Sequence, residues 1–363
     1  MNRILSLFAF SLVFSLLQFA HAQDSKLSIY YMDVGQADGI VIKSPKGEYV
    51  LIDGGVDKDG NCLNQIAFMR KIGMKKINYM IASHYHSDHI GCTKNILDSF
   101  PLTPDAKVYD RGNSYKSSTY NEYVAKINGH RVTADQSTSI LLDKGDVKID
   151  VVALNGNGIE TTNENDLSVV CVLHYGQFDA EFGGDLSGVN TNSYEDIETS
   201  VAPKVGQIEV YKVHHHCSAY SSNETWLDCI KPKVAIISVG DKNDYGHPAE
   251  ECLERLHDNT TADIYLTEIG KGGAIDTVMD KVWGNITVTV EKGGAKFTVQ
   301  SNKGTKNYDS WPVSGTSKYF WSKNSNVYHK NGCPSIGKIN PDNLMKSNDV
   351  PKGKSLAKDC QGL

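Results

Sequence analysis

Four metal-ligating side chains lie within six residues of this chain: His84, His86, Asp88 and His89. His84 and His86 are two residues apart, so both rings point to the same face of an extended segment. Asp88 and His89 follow directly, and a turn into a helix there would let them face a second ion beside the first. Imidazole and carboxylate groups suit zinc and similar divalent ions. The alternative is a polar loop with histidines by chance, which this density of ligands disfavours.

Two later segments offer further ligands. Asp185 follows two glycines at the end of a predicted strand over 178–182, where its carboxylate could bridge two ions. Three consecutive histidines at 214–216 follow another apolar strand, and we expect at least one of them to be a ligand. We choose His215 and leave His216 uncertain. The predicted ligand set is His84, His86, Asp88, His89, Asp185 and His215.

The elements that must position these residues are short apolar runs alternating with turn residues. This pattern predicts an α/β fold of two sheets covered by helices. A strand over 77–82 runs directly into the histidine cluster and should give it a rigid base. Further strands are predicted at 27–32, 40–43, 49–52, 147–154, 167–175, 178–182, 208–213, 234–239, 264–267, 286–290 and 296–299. Helices are predicted at 61–72, 90–100, 224–230 and 249–257.

Length, composition and charge limit the class of protein. The chain has 363 residues, of which 40% are hydrophobic and 22% charged, enough for one large globular core and an appendage. The net charge of -6 excludes a basic protein that coats nucleic acid. It does not exclude a nuclease, because metal ions can hold phosphate in place of lysines.

The N-terminus has the features of a secretory signal peptide over residues 1–22. Arg3 precedes an apolar run at 4–19, and Ala20-His21-Ala22 fits the small-x-small cleavage pattern. An uncleaved anchor is the alternative, although the apolar run is short for a bilayer span. Cleavage would give a secreted or periplasmic protein that begins at Gln23, without stable membrane association. Eight cysteines in the mature chain then suggest disulfides, whose pairing the sequence does not fix.

The histidine cluster and its surroundings resemble a known family. His84 to His89 is similar to the HxHxDH signature of the metallo-β-lactamase superfamily. More specifically, the chain resembles the hydrolase domain of the ComEC competence proteins, which act in DNA uptake, and their secreted, free-standing relatives. The matching segments follow the family order over about residues 27 to 300: DVGQAD at 33–38, IDGG at 52–55, NENDLS at 163–168, GD at 184–185, KVHHHCS at 212–218 and YGHP at 245–248.

The resemblance implies an αββα sandwich over residues 23–300 that holds two zinc ions, with manganese as the alternative metal. It also implies hydrolysis of phosphodiesters, with DNA as the expected substrate. Asp53 would orient a ligating histidine, and Asp88 would take part in catalysis. His247 precedes a predicted helix and would hold a phosphate or protonate a leaving oxygen. A plain helix-cap role is the alternative for His247.

The chain departs from the family pattern at two places. Cys217 stands where the family has glycine, so that turn would be strained or the cysteine would pair with another. No histidine occupies the usual third ligand position of the first ion, where Asn155 or Asn165 would stand instead. Catalysis by a single ion is therefore an alternative to the two-ion site.

The C-terminal part has a different composition from the rest. Residues 301–317 are rich in Ser, Gly, Lys and Asn, which predicts a linker. Residues 318–363 are predicted to form a small cysteine-containing module, which a Cys333–Cys360 disulfide would hold together better than a four-ligand metal site.

Fold alone does not select a substrate. The first alternative to a DNA nuclease is therefore an esterase, a lactonase or a phosphodiesterase for a small head group on the same scaffold. A secreted binding protein with a vestigial metal site is an alternative of another class. The intact set of metal-ligating side chains argues against it. The oligomeric state cannot be read from the sequence.

Overall fold

The computed structural model describes residues 26–241, 243–271, 280–282, 284–301, 304–311, 319–322, 324–330, 333–339, 344–347, 351 and 353–360. The predicted signal peptide over 1–22 and its cleavage site lie outside the described residues. Within the described part of the chain, no helix is long and apolar enough to cross a membrane.

Two large mixed sheets form the body of the protein. The first contains β1 Leu27–Tyr31, β2 Gly39–Lys43, β3 Tyr49–Gly54, β4 Ile77–Ile81, β5 Leu102–Asp110, β6 Arg131–Thr133, β15 Ile286–Val290, β16 Lys296–Ser301 and β17 Gly304–Asp309. Its strands are ordered β17-β16-β15-β1-β2-β3-β4-β5-β6. The second contains β7 Ser139–Leu142, β8 Val147–Ala153, β9 Val170–Tyr175, β10 Phe178–Phe182, β11 Val210–Lys212, β12 Val234–Ile237, β13 Asp263–Leu266 and β14 Asp280–Val282. Its strands are ordered β14-β13-β12-β11-β10-β9-β8-β7.

Helices cover the outer face of each sheet. They are α1 Asn61–Lys71, α2 Ser87–Ile90, α3 Thr93–Ser99, α4 Ser118–Lys126, α5 Glu198–Val205, α6 Glu224–Ile230 and α7 Glu250–Asn259. Ile29 and Phe178 belong to one apolar core between the two sheets, whereas Ile66 of α1 and Leu253 of α7 belong to separate outer cores. Strands covered on both faces explain the continuous apolar runs in the sequence. The predicted αββα sandwich is confirmed.

The parallel parts of both sheets determine where the polar residues meet. β3 and β4 are parallel neighbours in the first sheet, and β10 and β11 are parallel neighbours in the second. Parallel strands end at the same edge of their sheet, and in open α/β sheets ligands bind beyond the carboxyl ends. Asp53 lies at the end of β3, and the segments that follow β4, β10 and β11 carry the histidine cluster, Asp185 and the triple histidine. They converge at one edge of the sandwich.

A third sheet lies in the C-terminal part of the chain. It consists of β18 Tyr319–Ser322, β19 Val327–Lys330, β20 Leu344–Ser347 and β21 Ser355–Leu356, in the order β20-β18-β19-β21. Cys333 and Cys360 form the predicted disulfide, and both are buried in a small core with Ala357. The disulfide therefore stabilises a module that is too small to form an extensive apolar core of its own.

One predicted boundary is wrong in part. β17 lies inside the segment 301–317 that we predicted as a linker, and it pairs antiparallel with β16 over Lys296–Ser301. The sequence hides this strand because it lies at the sheet edge and its side chains are mostly exposed polar groups. Trp311 also docks on the second sheet, where its indole Nε1 donates to the carbonyl of Ile208 (3.1 Å).

Candidate metal centre

A cleft of about 550 Å³ opens at the edge where the strand ends converge. Asp88, Asp185 and His216 lie in its wall together with His86 and His247. An adjoining groove shares Tyr115 and Ser117 with the cleft, but no histidine, cysteine or carboxylate lines it. Chemistry is therefore expected in the cleft.

Four donor atoms converge at this cleft: Asp88, Asp185 and His216 line it, and His89 is buried directly behind them. His89 Nε2 lies 3.2 Å from Asp185 Oδ1 and 3.6 Å from Asp88 Oδ2. His216 Nε2 lies 3.5 Å and 3.4 Å from the same two oxygens. Ligands of a tetrahedral zinc ion are ~3.3 Å apart when each bond is ~2.0–2.1 Å long. The spacing of these four atoms fits one such ion.

Hydrogen bonds leave the converging nitrogens available for a metal. His216 Nδ1 donates to the carbonyl of Ser238 (2.8 Å), and His89 Nδ1 donates to Asp53 Oδ2 (2.9 Å). In its neutral form each ring would therefore point an Nε2 lone pair at the cluster. His89 Nε2, His216 Nε2 and Asp185 Oδ1 are buried without a hydrogen-bond partner. Unpartnered buried acceptors are costly, and a bound cation would satisfy all three.

A second group of donors consists of His84, His86 and Asp185. His84 Nε2 lies 3.0 Å from His86 Nδ1 and 3.9 Å from Asp185 Oδ2. Asp185 therefore offers one oxygen to each group, as a bridging carboxylate would. Gly184 makes this placement possible, because a Cβ there would lie 2.6 Å from the Cβ of Ser83 and φ is +56°.

The structure places the predicted asparagines differently from each other. Asn165 lines the cleft, where its Nδ2 lies 3.2 Å from His215 Nε2 and its buried Oδ1 has no hydrogen-bond partner. Asn155 lies outside the cleft lining and donates to the carbonyl of Arg111 (3.0 Å). Of the two, Asn165 is the one that lines the cleft, beside His215.

The triple histidine contributes a different member to the cluster from the one we predicted. His216 joins the four-donor group, whereas His215 Nε2 lies 3.8 Å from Asp185 Oδ2, beside the cluster. His214 turns away and contacts Glu198 (2.7 Å) and Glu181 (3.1 Å). Three adjacent histidines cannot all face one point, and the backbone turn that separates them is not visible in the residue types.

That turn is left-handed over three consecutive residues. The φ angles are +49° at His215, +52° at His216 and +61° at Cys217. The left-handed region disfavours residues with a Cβ, so the surrounding structure must hold this turn. Cys217 is bonded to Cys252 in α7, and its carbonyl accepts from Ala249 N (2.8 Å). A disulfide therefore stands where the related pattern has a flexible glycine.

A buried ion pair lies behind the cluster, and its role was not predicted from the sequence. Lys212 Nζ lies 2.9 Å from Asp38 Oδ2, and both side chains are almost fully buried. Asp38 Oδ1 is 3.7 Å from His216 Nδ1. Asp38 ends the DVGQAD segment and Lys212 begins KVHHHCS, so both motifs carry the signal. The pair therefore places two opposite charges directly behind His216, one of the four converging donors.

Another buried ion pair holds the loop that carries His84 and His86. Glu164 accepts from the backbone N–H of Tyr85 (2.9 Å) and from Arg111 Nη2 (2.6 Å). The Arg111 guanidinium also lies over the Tyr85 ring, 4.3 Å from its centroid. Neither Glu164 nor Arg111 could be singled out from the sequence, because they come from different segments.

His247 lies at the mouth of the cleft in a fixed orientation. Gly240 N donates to Gln36 Oε1 (3.2 Å), so the Gln36 amide group donates from Nε2 to His247 Nδ1 (3.1 Å). Burial, followed by the nearby His216 and His215 rings, lowers the pKa of His247 to about 3. The ring is therefore neutral near pH 7, with its proton on Nε2.

The helix-cap alternative for His247 does not hold. α7 begins at Glu250, and its N-cap is Ala249. Asn243 holds the His247 backbone instead, because it accepts from His247 N (3.0 Å) and donates to His247 O (2.8 Å). The side chain of His247 is therefore left for the cleft.

Comparison with known protein families decides the assignment of the fold and centre. The model of the metallo-beta-lactamase superfamily matches residues 32–241. The chain belongs to the metallo-β-lactamase superfamily. The matched region includes all the members of both donor groups and ends before His247.

Two curated relatives of this superfamily member share about a quarter of their aligned residues with it. The chain is 27% identical to Recombination protein 2 of Haemophilus influenzae over 253 residues, which are 68% of this chain and 28% of that protein. It is 26% identical to ComE operon protein 3 of Bacillus subtilis over 243 residues, which are 62% of this chain and 30% of that protein. The chain spans less than a third of the length of either relative.

Solved structures of the superfamily also align with this chain. The metallo-beta-lactamase fold protein YhfI from Bacillus subtilis is 12% identical, with a TM-score of 0.42, and the alignment covers 68% of this chain and 98% of that one. The subclass B3 enzyme MEM-A1 from a soil metagenome library is 15% identical, with a TM-score of 0.36 and coverage of 52% and 76%.

The electrostatics of the centre agree with the divalent metal binding that the superfamily fold implies. Burial alone would raise the pKa of Asp185, but His89, His216 and His215 hold it well below the ordinary range. Burial and the neighbouring His89 lower the pKa of His84, which favours the neutral, ligating ring. Burial would lower the pKa of His89 and His216, but Asp185 and the neighbouring carboxylates raise it. A divalent ion in the four-donor group would therefore displace a proton from each of these two rings.

Proposed function

We propose that this protein is a secreted, metal-dependent phosphodiesterase that acts on DNA. The observation that carries the proposal is the pair of donor groups that share Asp185 in one open cleft. Two-ion sites with a bridging carboxylate suit in-line displacement at phosphorus, because both the attacking and the leaving oxygen can be stabilised. The ordered ComEC-like segments and the competence-related relatives favour DNA among phosphodiesters.

The side chains of this chain divide the work in the proposed reaction. Divalent ions held by the two donor groups would supply a hydroxide nucleophile and offset negative charge on the phosphate. Asp88 is the most exposed carboxylate of the four-donor group, with 28% of its side chain accessible, so it can also accept a proton from the attacking water. His247 can donate from Nε2 to a phosphate oxygen, because Gln36 holds its other nitrogen.

A comparison of substrates tests this proposal against the other reactions that the fold supports. Purified mature protein would be incubated with DNA, with a small phosphodiester ester and with a lactone, each with and without a chelator. We expect turnover of DNA that stops with chelator and returns with added manganese or zinc. Turnover of the lactone without cleavage of either phosphodiester would overturn the proposal, and no turnover at all would favour a vestigial site.

His247→Ala tests the part assigned to that residue. Removing one preorganised donor to developing negative charge typically lowers kcat ~10²–10³-fold. We expect a loss of this size with unchanged metal content, because His247 is not among the converging donors. His130→Ala is the matched control, since that ring contacts the carbonyl of Ala106 in the first sheet. Equal activity of His247→Ala and the control would refute the assignment.

Three disulfides support the proposed export, because such bonds persist in oxidising compartments. They join Cys62 to Cys92, Cys217 to Cys252 and Cys333 to Cys360. The cleavage pattern at residues 20–22 predicts that the exported protein begins at Gln23. Terminal sequencing of exported protein checks this, and a retained Met1 would contradict it.

A further inference from the structure

Five aromatic rings form a row across the mouth of the cleft. We call it the ring row: Tyr220, Tyr194, His215, His247 and Tyr245. The successive ring centroids are 4.8, 5.9, 5.6 and 5.6 Å apart. The inner members His215 and His247 lie beside the donor groups, and Tyr220 and Tyr245 are the two ends of the row.

Both ends of the ring row are stacked pairs with an exposed outer ring. Tyr220 lies on Tyr194 with 25° between the ring planes, and Tyr245 lies on His247 with 24°. Tyr220 is 43% exposed and Tyr245 is 75% exposed, which is unusual for large apolar side chains in this protein. An exposed ring backed by a second ring is a ready surface for a planar ligand.

The charge of the cleft lining also favours a ligand that binds to aromatic rings. Of the residues that line it and that the structure describes, none is lysine or arginine, whereas five are tyrosines: Tyr85, Tyr115, Tyr194, Tyr220 and Tyr245. Proteins that follow a nucleic-acid backbone usually do so with a basic groove. The described residues of this cleft do not form such a basic groove. Beyond the reacting phosphate, the protein must therefore recognise parts of the substrate other than its phosphates.

Nucleobases are the groups that fit an exposed ring. Every base has a flat π-face, and stacking on an aromatic side chain is tolerant of sequence. In a duplex these faces are covered by neighbouring bases, but in a single strand they are accessible. The inner rings are next to the donor groups, because His215 Nε2 lies 3.8 Å from Asp185 Oδ2 and the His247 ring centroid lies 6.2 Å from that of His216. A strand whose phosphate sits beside these inner rings could place bases on both Tyr220 and Tyr245.

We propose that the ring row stacks bases of single-stranded DNA on either side of the phosphate that is cleaved. This inference rests on the proposed phosphodiesterase function and names its preferred form of substrate. It makes Tyr220 and Tyr245 specificity residues rather than catalytic ones. It also accounts for substrate recognition by a protein whose net charge is -6.

Binding of hydrolysis-resistant oligonucleotides tests the ring row directly. Metal-loaded protein would be titrated into fluorescent phosphorothioate 12-mers of thymidine, of abasic sites and of duplex DNA, and anisotropy would be measured. We expect the thymidine strand to bind at least ~10-fold more tightly than the other two. Tyr220→Ala and Tyr245→Ala should each weaken that binding about 10-fold, which is ~1.4 kcal/mol. Tyr→Phe at either position keeps the ring and should stay within about twofold.

The controls distinguish an effect on the ring row from an effect on folding and from an effect on cleavage. Leu63→Ala changes another exposed apolar side chain, on α1, and should leave binding unchanged. Cleavage of unmodified abasic and thymidine strands would be measured in parallel. Equal binding of the two strands, or tighter binding of an uncharged glycan, overturns the ring row even if both strands are cleaved. Selective binding without cleavage supports the ring row and instead contradicts the phosphodiesterase proposal.

Discussion

Asp53→Asn is the substitution whose effect on metal binding follows most directly from the structure. The Asp53 carboxylate is 1% exposed and accepts three hydrogen bonds: from Ser83 N (2.8 Å), Ser83 Oγ (2.7 Å) and His89 Nδ1 (2.9 Å). An asparagine can keep the bond from Ser83 N, but its amide nitrogen then faces His89 Nδ1 as a donor. The backbone conformation is not the cause of any effect, since φ is +56° and asparagine tolerates it as aspartate does.

The expected loss of metal affinity comes from the changed hydrogen bond to His89. Hydrogen bonds to charged groups contribute ~1.5–3 kcal/mol, and partners that orient a ligating histidine typically change metal affinity ~10–100-fold. We therefore expect Asp53→Asn to bind the ion of the four-donor group ~10–100-fold more weakly. Zinc affinity would be measured by competition with a chromophoric chelator, with the thermal midpoint recorded to verify folding.

A surface substitution of the same kind provides the control. Asp98 pairs with Lys126 on the exposed face of α3, where 57% of its side chain is accessible. Asp98→Asn should bind zinc like the unchanged protein. The reasoning fails if Asp53→Asn is folded and binds zinc within about twofold of the unchanged protein.

Three further predictions concern the metal, the C-terminal part and the pH dependence of stability. Asp88→Ala should lower bound metal and abolish hydrolysis while leaving the thermal midpoint nearly unchanged, and full activity of the metal-loaded variant would refute its role. Removing residues 312–363 should leave hydrolysis of a small phosphodiester intact. Removing residues 302–363 also deletes β17 and should lower the thermal midpoint. If the protein without residues 312–363 is insoluble or binds no metal, the C-terminal module belongs to the core. Burial would lower the pKa of His214, but the carboxylates of Glu181 and Glu198 raise it to about 9. The native state therefore binds more protons than the unfolded state between pH ~6.5 and 9, so the free energy of unfolding should fall as pH rises through this range, by up to ~1.4 kcal/mol per pH unit. Urea unfolding of the intact protein at several pH values measures this slope, and a stability that rises over the range would contradict it.

The sequence predicted those elements whose apolar pattern is bounded by clear turn residues. β10 at Phe178–Phe182 and α6 at Glu224–Ile230 have the predicted bounds, because both are compact apolar segments. β5 at Leu102–Asp110 was missed, although it has a parallel neighbour on each side, since Pro104 and Asp105 interrupt its pattern. α5 at Glu198–Val205 was missed as well, because Pro203 stands inside it.

In the candidate site too, residues that form a local sequence pattern could be predicted, whereas those that depend on tertiary contacts could not. The HxHxDH segment could be recognised because its ligands are adjacent in sequence. The sequence pointed to His215, whereas His216 joins the four-donor group, since that placement depends on a left-handed turn and on the carbonyl of Ser238 after another strand. The pairing of Asp38 with Lys212 was also out of reach, because two distant motifs meet only in the folded sandwich.

Anomalous diffraction from crystals grown with zinc would test the central claim most directly. That claim is a metal centre built from two donor groups that share Asp185. Data collected at the zinc edge should give one peak within bonding distance of Asp88, His89, Asp185 and His216. A second peak should lie beside His84, His86 and Asp185. A map with no peak next to His216 Nε2, or with zinc bound only elsewhere on the protein, would contradict the account.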